Sequence, residues 1–245
     1  MPSRSLNQTV TIVGFRVPIS VLMIIGAILV ASTLGAAAER NGLPAIGILI
    51  FVPRLVWEGQ LWRLATWSLV VPPSSAGLLT LFFAVFMLAS FGRDVAYAWG
   101  GLRFLIFWAA TTSLTGLLLC LLSQLGPALG GYPYATPWPL VDAVIVAWAL
   151  LFPSRTILFN FVLPVAGTRL VQITLVMTFV GALLDGFVPY LPHFLAIGLT
   201  FAYLRGGTPS RWWLSLKGTW LVRRHSRHLR PVNRGERGGP PTWLH

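Results

Sequence analysis

The chain has 245 residues, of which 56% are hydrophobic and only 10% charged, with a mean hydropathy of +0.75. A soluble domain carries about 25% charged residues, so a soluble globular fold is excluded. The apolar residues come in long unalternating runs, which excludes a membrane β-barrel and calls for spanning helices.

The expected elements follow in chain order. Residues 1–16 form a short N-terminal segment without a cleavable signal, since the apolar run after Arg16 is longer than a signal's h-region. Six spans are expected, at 17–37, 77–91, 102–122, 138–152, 170–187 and 191–204. The fourth is short and bounded by Pro137 and Pro153. A long, half-apolar first loop, 38–76, is expected to lie partly in the interface, with Trp57, Trp62 and Trp67 at headgroup level. The segment 155–168, broken by Pro164 and Gly167, is expected to dip into the opposite interface. Small residues on the first span (Gly26, Ala27, Ala31, Gly35) and on the third (Ala109, Ala110, Ser113, Gly116) allow close helix contacts. The single cysteine, Cys120, permits no internal disulfide and no cysteine metal site, and no cofactor is called for.

Charge gives the orientation. The net charge of +12 is uneven, with nine of the eighteen basic residues from Arg205 onward. With the N-terminus cytoplasmic, fifteen of the eighteen fall on inside segments, and Arg40, Arg54 and Arg63 sit together in the first outside loop. The expected protein is therefore multi-pass in the cell membrane, with both termini cytoplasmic. The tail, 205–245, mixes Trp212, Trp213 and Trp220 with cations and then becomes rich in Arg, Gly and Pro. It is expected to be amphipathic, then disordered, and to meet an anionic leaflet rather than nucleic acid. Arginine far outnumbers lysine, a compositional bias that points to a bacterial source.

The stretch Glu58-Gly59-Gln60-Leu61-Trp62-Arg63-Leu64-Ala65-Thr66 resembles the first-loop motif of rhomboid-like membrane proteins. Phe91-Gly92-Arg93-Asp94, Trp99-Gly100 with Arg103, Ala149 to Pro153, Phe161 to Val165, and His193 follow in the family's order. The resemblance covers 17–204 and implies a six-transmembrane-helix rhomboid-like bundle with an interfacial first loop. In that family Glu58, Gly59, Trp62, Arg63 and Thr66 would brace the bundle; here Glu58 and Arg63 are expected to pair or to cap helices within the loop. The superfamily holds intramembrane serine peptidases (the S54 type), which use a serine and a histidine, and inactive members that bind membrane clients.

The resemblance fails at the catalytic positions. No Gly-x-Ser-Gly occurs, and the serine position aligns with Trp138. The oxyanion positions align with Thr80 and Ala84. Only His193 matches. A serine nucleophile needs a base within reach, and the fourth span has no serine. An inactive pseudoprotease is therefore expected, binding transmembrane proteins or lipids. The alternatives are a peptidase with a displaced nucleophile and a small transporter.

An acid inside a membrane span marks a functional site by default. Asp142 lies one turn into the fourth span, Asp185 at the outer end of the fifth and His193 near the outer start of the sixth. With Trp138 they form the candidate partner-binding set. The competing expectation is that Asp142 bonds a hydroxyl or Arg63 within the bundle. No metal site is expected.

Overall fold

The computed structural model describes residues 8–12, 15–159 and 163–205. The basic tail lies outside these residues.

The helices are α1 (Ile19–Arg40), α2 (Ala45–Leu49), α3 (Pro53–Trp57), α4 (Arg63–Thr66), α5 (Ser75–Met87), α6 (Arg93–Trp99), α7 (Gly101–Leu122), α8 (Pro127–Gly130), α9 (Trp138–Leu151), α10 (Gly167–Asp185) and α11 (Phe187–Arg205). Five stretches are long and apolar enough to cross a membrane: α1, α5 through α6, α7 to Leu125, α10 and α11. Local sequence sets their ends. Ser74 caps α5 by accepting from the Gly77 N–H at 2.8 Å. Gly100, at φ +86°, provides the left-handed turn from α6 into α7. A π-helical turn, Leu88–Gly92, joins α5 to α6.

The sixth apolar helix, α9, has 14 residues, 11 of them buried. At 1.5 Å per residue it is about 21 Å long, short of the ~30 Å hydrocarbon core. It tolerates this because protein surrounds it: α10 and α11 pack along it, and α5, α6 and α7 also touch it. Its first two turns line a cavity shared with α10 and α11.

The first loop is held by its own motif. A short helix such as α2 ends in carbonyls without intrahelical partners. Here four consecutive carbonyls receive side-chain donors. Arg63 Nη1 donates to Gly47 O at 2.7 Å and also to Ile50 O. Trp62 Nε1 donates to Ile48 O at 3.1 Å, and Thr66 Oγ1 to Leu49 O at 2.8 Å. Arg63 Nε reaches Gln60 Oε1 at 2.7 Å. Burial pushes the Arg63 pKa down, but arginine starts so high that the charge persists. Gly59, at φ +98°, makes the turn that presents this motif.

The loop then ties to the rest of the bundle. Phe51 and Tyr134 exchange backbone hydrogen bonds at 2.9 and 2.8 Å. Tyr134 Oη donates to Val188 O on α11 at 3.2 Å. Burial, with a smaller contribution from Tyr132, raises the Tyr134 phenol pKa, so the hydroxyl keeps its proton. Of the small residues, Gly35 and Gly116 serve the loop. A Cβ at Gly35 would lie 2.8 Å from Ile46, and one at Gly116 3.0 Å from Leu64. Ala109 and Ala110 are exposed.

Three sequence expectations change. Trp57 and Trp62 are exposed, but Trp67 is fully buried against Phe51, because the chain after α4 turns into the bundle. Glu58 pairs with Arg54 at 3.2 Å on the surface and not with Arg63, whose donors go to carbonyls. Segment 155–168 is not merely an irregular dip: β3 (Thr156–Phe159) and β4 (Leu163–Ala166) pair antiparallel. Residues 160–162 are outside the description. A second antiparallel pair, β1 (Thr9–Ile12) with β2 (Phe15–Pro18), precedes α1.

Replacing Arg63 by Ala removes the donors of two backbone carbonyls and Gln60, each orphaned acceptor costing about 1–3 kcal/mol. Thermal unfolding in detergent should show a large fall in Tm for Arg63→Ala. Thr66→Val, which loses one bond, should cost only about 1 kcal/mol. Equal, small losses for both would refute the brace.

Candidate functional site

A cavity of about 750 Å³ lies between α5, α9, α10 and α11. The end beside the first turns of α9 and α11 is polar. His193, in the second turn of α11, meets Asp142, in the second turn of α9, with Nδ1 to Oδ2 at 2.7 Å. An ionised carboxylate only accepts, so Nδ1 is the donor of this bond. Both side chains are mostly buried, at 14% and 12% exposure. Tyr190 stacks near the imidazole, ring centroids 5.2 Å apart, and donates to Asp185 Oδ2 at 3.1 Å. Trp138 and Thr136 complete this end.

The structure brings Trp138, Asp142, Asp185 and His193 to one cavity. It also corrects two expectations. Asp142 bonds His193, neither a hydroxyl nor Arg63. The residue opposite His193 is Asp142, one turn further along α9 than the aligned Trp138. The physical reason is spacing: Trp138 is the first residue of α9 and sits at the rim, while the next turn points to α11.

The chemistry of this pair is limited. A carboxylate orients the histidine, as in a hydrolytic triad, but among the described residues no hydroxyl bonds to His193. Thr174, in the cavity wall, donates instead to Leu170 O at 3.0 Å. No serine lines the cavity. Among the described residues no three His, Cys, Asp or Glu side chains are grouped to hold a metal ion.

A second polar centre lies at the opposite end of the bundle. Asp94, at the start of α6, accepts from Trp148 Nε1 at 3.0 Å and Arg155 Nη1 at 3.2 Å, both on Oδ2. Arg93 Nε approaches Oδ1 at 3.3 Å. The cation of Arg155 lies over Phe152, 4.2 Å from the ring centroid. Sequence reading used Asp94 only as a landmark and missed this network. Its signal was present: an acid ending a long apolar span, with arginines before it and after the fourth span.

Five membrane-length helices around a buried short one make this a multi-pass integral membrane protein. Residues 22–205 match the model of the family described as eukaryotic integral membrane protein (DUF1751), and the chain belongs to that family. The description is of eukaryotic proteins, so it lends no support to the bacterial source that the arginine bias points to. No curated protein matches the chain.

Asp94→Ala should lower stability by about 1–3 kcal/mol, since it strips an indole N–H and a guanidinium of a shared acceptor. Combined with Trp148→Phe, the loss should be clearly less than additive. Additive losses in thermal unfolding would dissolve the network.

Proposed function

We propose that this chain is a catalytically inactive rhomboid-like protein that binds transmembrane partners. The observation that carries the reading is the Asp142–His193 pair. A histidine held by a carboxylate, with no hydroxyl bonded to it among the described residues, has no nucleophile to activate. The cavity beside it supports binding in the membrane. It is walled on one side by Met87 and Phe91 and on the other by α10, which packs on α9 and α11.

On this reading α9 is the fourth of six spans. Both termini are cytoplasmic, supported by the charge asymmetry. The ends that bear Arg16, Arg93, Arg103 and Arg155 are linked, through Tyr97 to Arg16 O, Arg103 to Tyr203, and Asp94 to Arg155. Reporter fusions at both ends should read cytoplasmic; an external reading at either terminus rejects the topology.

Photo-crosslinking from position 138 in native membranes tests the partner. Recovery of a discrete membrane protein is expected, and recovery of lipid alone overturns transmembrane-partner binding at this site. A serine-reactive fluorophosphonate should leave the protein unlabelled; specific labelling that needs His193 would restore the peptidase reading.

A further inference from the structure

The cavity is graded along its length. Its wall on α10 runs from Leu170 to Asp185, a rise of about 22 Å at 1.5 Å per residue. That exceeds the ~15 Å of one leaflet, half the hydrocarbon core. At one end the lining is Phe91, Ile145, Leu170 and Ile173; at the other it is Asp142, Asp185, Tyr190 and His193. The lining holds two carboxylates and no lysine or arginine among the described residues.

The acids are not saturated by each other or by their neighbours. The Asp142 side chain is 12% exposed, and its only hydrogen bond to a described residue uses Oδ2, leaving Oδ1 able to accept at the cavity wall. Asp185 likewise spends one oxygen on Tyr190. A primary ammonium has three N–H donors and suits such a pair of half-used carboxylates.

The apolar end of the lining decides what carries the ammonium. A single apolar chain fits, and the volume is that of an ordinary small-ligand site. We propose that this cavity binds a membrane-dissolved amphiphile made of one long apolar chain ending in a primary amine. The ammonium sits between Asp142 and Asp185, and the chain lies along Ile173 and Ile145 toward Leu170. This site goes beyond the binding of transmembrane partners and stands without it.

The test uses full-length purified protein in nanodiscs, with hexadecylamine, hexadecanol and hexadecanoate as probes, and no second protein. The amine should bind at least about tenfold more tightly than the alcohol, the worth of one hydrogen bond to a charged group. Hexadecanoate should bind most weakly. Asp185→Asn and Asp142→Asn should each abolish the preference for amine over alcohol. Ile173→Trp, which fills the apolar end, should weaken amine and alcohol alike. Asp142→Asn also disturbs the His193 contact, so Asp185→Asn, whose side chain lies at the exposed rim, decides if Asp142→Asn fails to fold. Equal affinity for amine and alcohol, or a preference that survives Asp185→Asn, overturns the proposal. Because no protein partner is present, neither outcome depends on the partner reading.

Discussion

In a bilayer a backbone carbonyl has no water to turn to, and the first loop of this bundle is built around that constraint. The C-terminal end of α2 and the residue after it present four carbonyls in succession, Gly47 to Ile50, and the loop supplies its own donors from Trp62, Arg63 and Thr66. With these met, Phe51 can lie in the core and pair with Tyr134. Tyr134 in turn reaches Val188, five residues before His193. The position of His193 over α9 thus depends on a loop motif more than 120 residues earlier in the chain. Between helices in lipid there is little hydrophobic driving force, so such polar ties and close packing set the geometry.

The short α9 divides the molecule into unlike ends. Toward its C-terminus, Trp148 is fastened to Asp94, and Arg155 closes over Phe152. Toward its N-terminus, α9 begins at the rim, between two prolines, and its first two turns wall the cavity. The polarity of the cavity is graded: Asp142 and Asp185 lie toward one end, and the other lining residues on α10 are apolar or hydroxyl-bearing.

Much of this was legible in the sequence. Hydropathy locates the six apolar helices to within a few residues, because runs such as 102–122 leave no other conformation in lipid. Gly59 to Thr66 reads as a brace on resemblance, but its mechanism, side chains capping α2, needs coordinates, since the carbonyl acceptors carry no sequence signal. Trp67 shows the limit of composition: three tryptophans in one loop look alike, and only the turn after α4 sends one inward. The hairpin Thr156–Phe159 with Leu163–Ala166 escaped because strands of four residues rich in apolar side chains read the same as a broken helix. Asp142 and His193 were legible as candidates one by one. Their contact was not, because a landmark alignment assigned the facing position to Trp138, one turn early.

That one-turn displacement carries the chemical argument. In a hydrolytic dyad the histidine needs a neighbour that can lose a proton and attack. Asp142 occupies the facing position here, and its bond to Nδ1 uses the ring nitrogen that an orienting acid uses. The pair is an orienting acid and an oriented base with no hydroxyl bonded to it among the described residues. The same carboxylate keeps one oxygen turned to no partner, in a cavity that has room for a ligand. Carboxylates at the mouth of an otherwise apolar cavity favour a cation there over a neutral or anionic group.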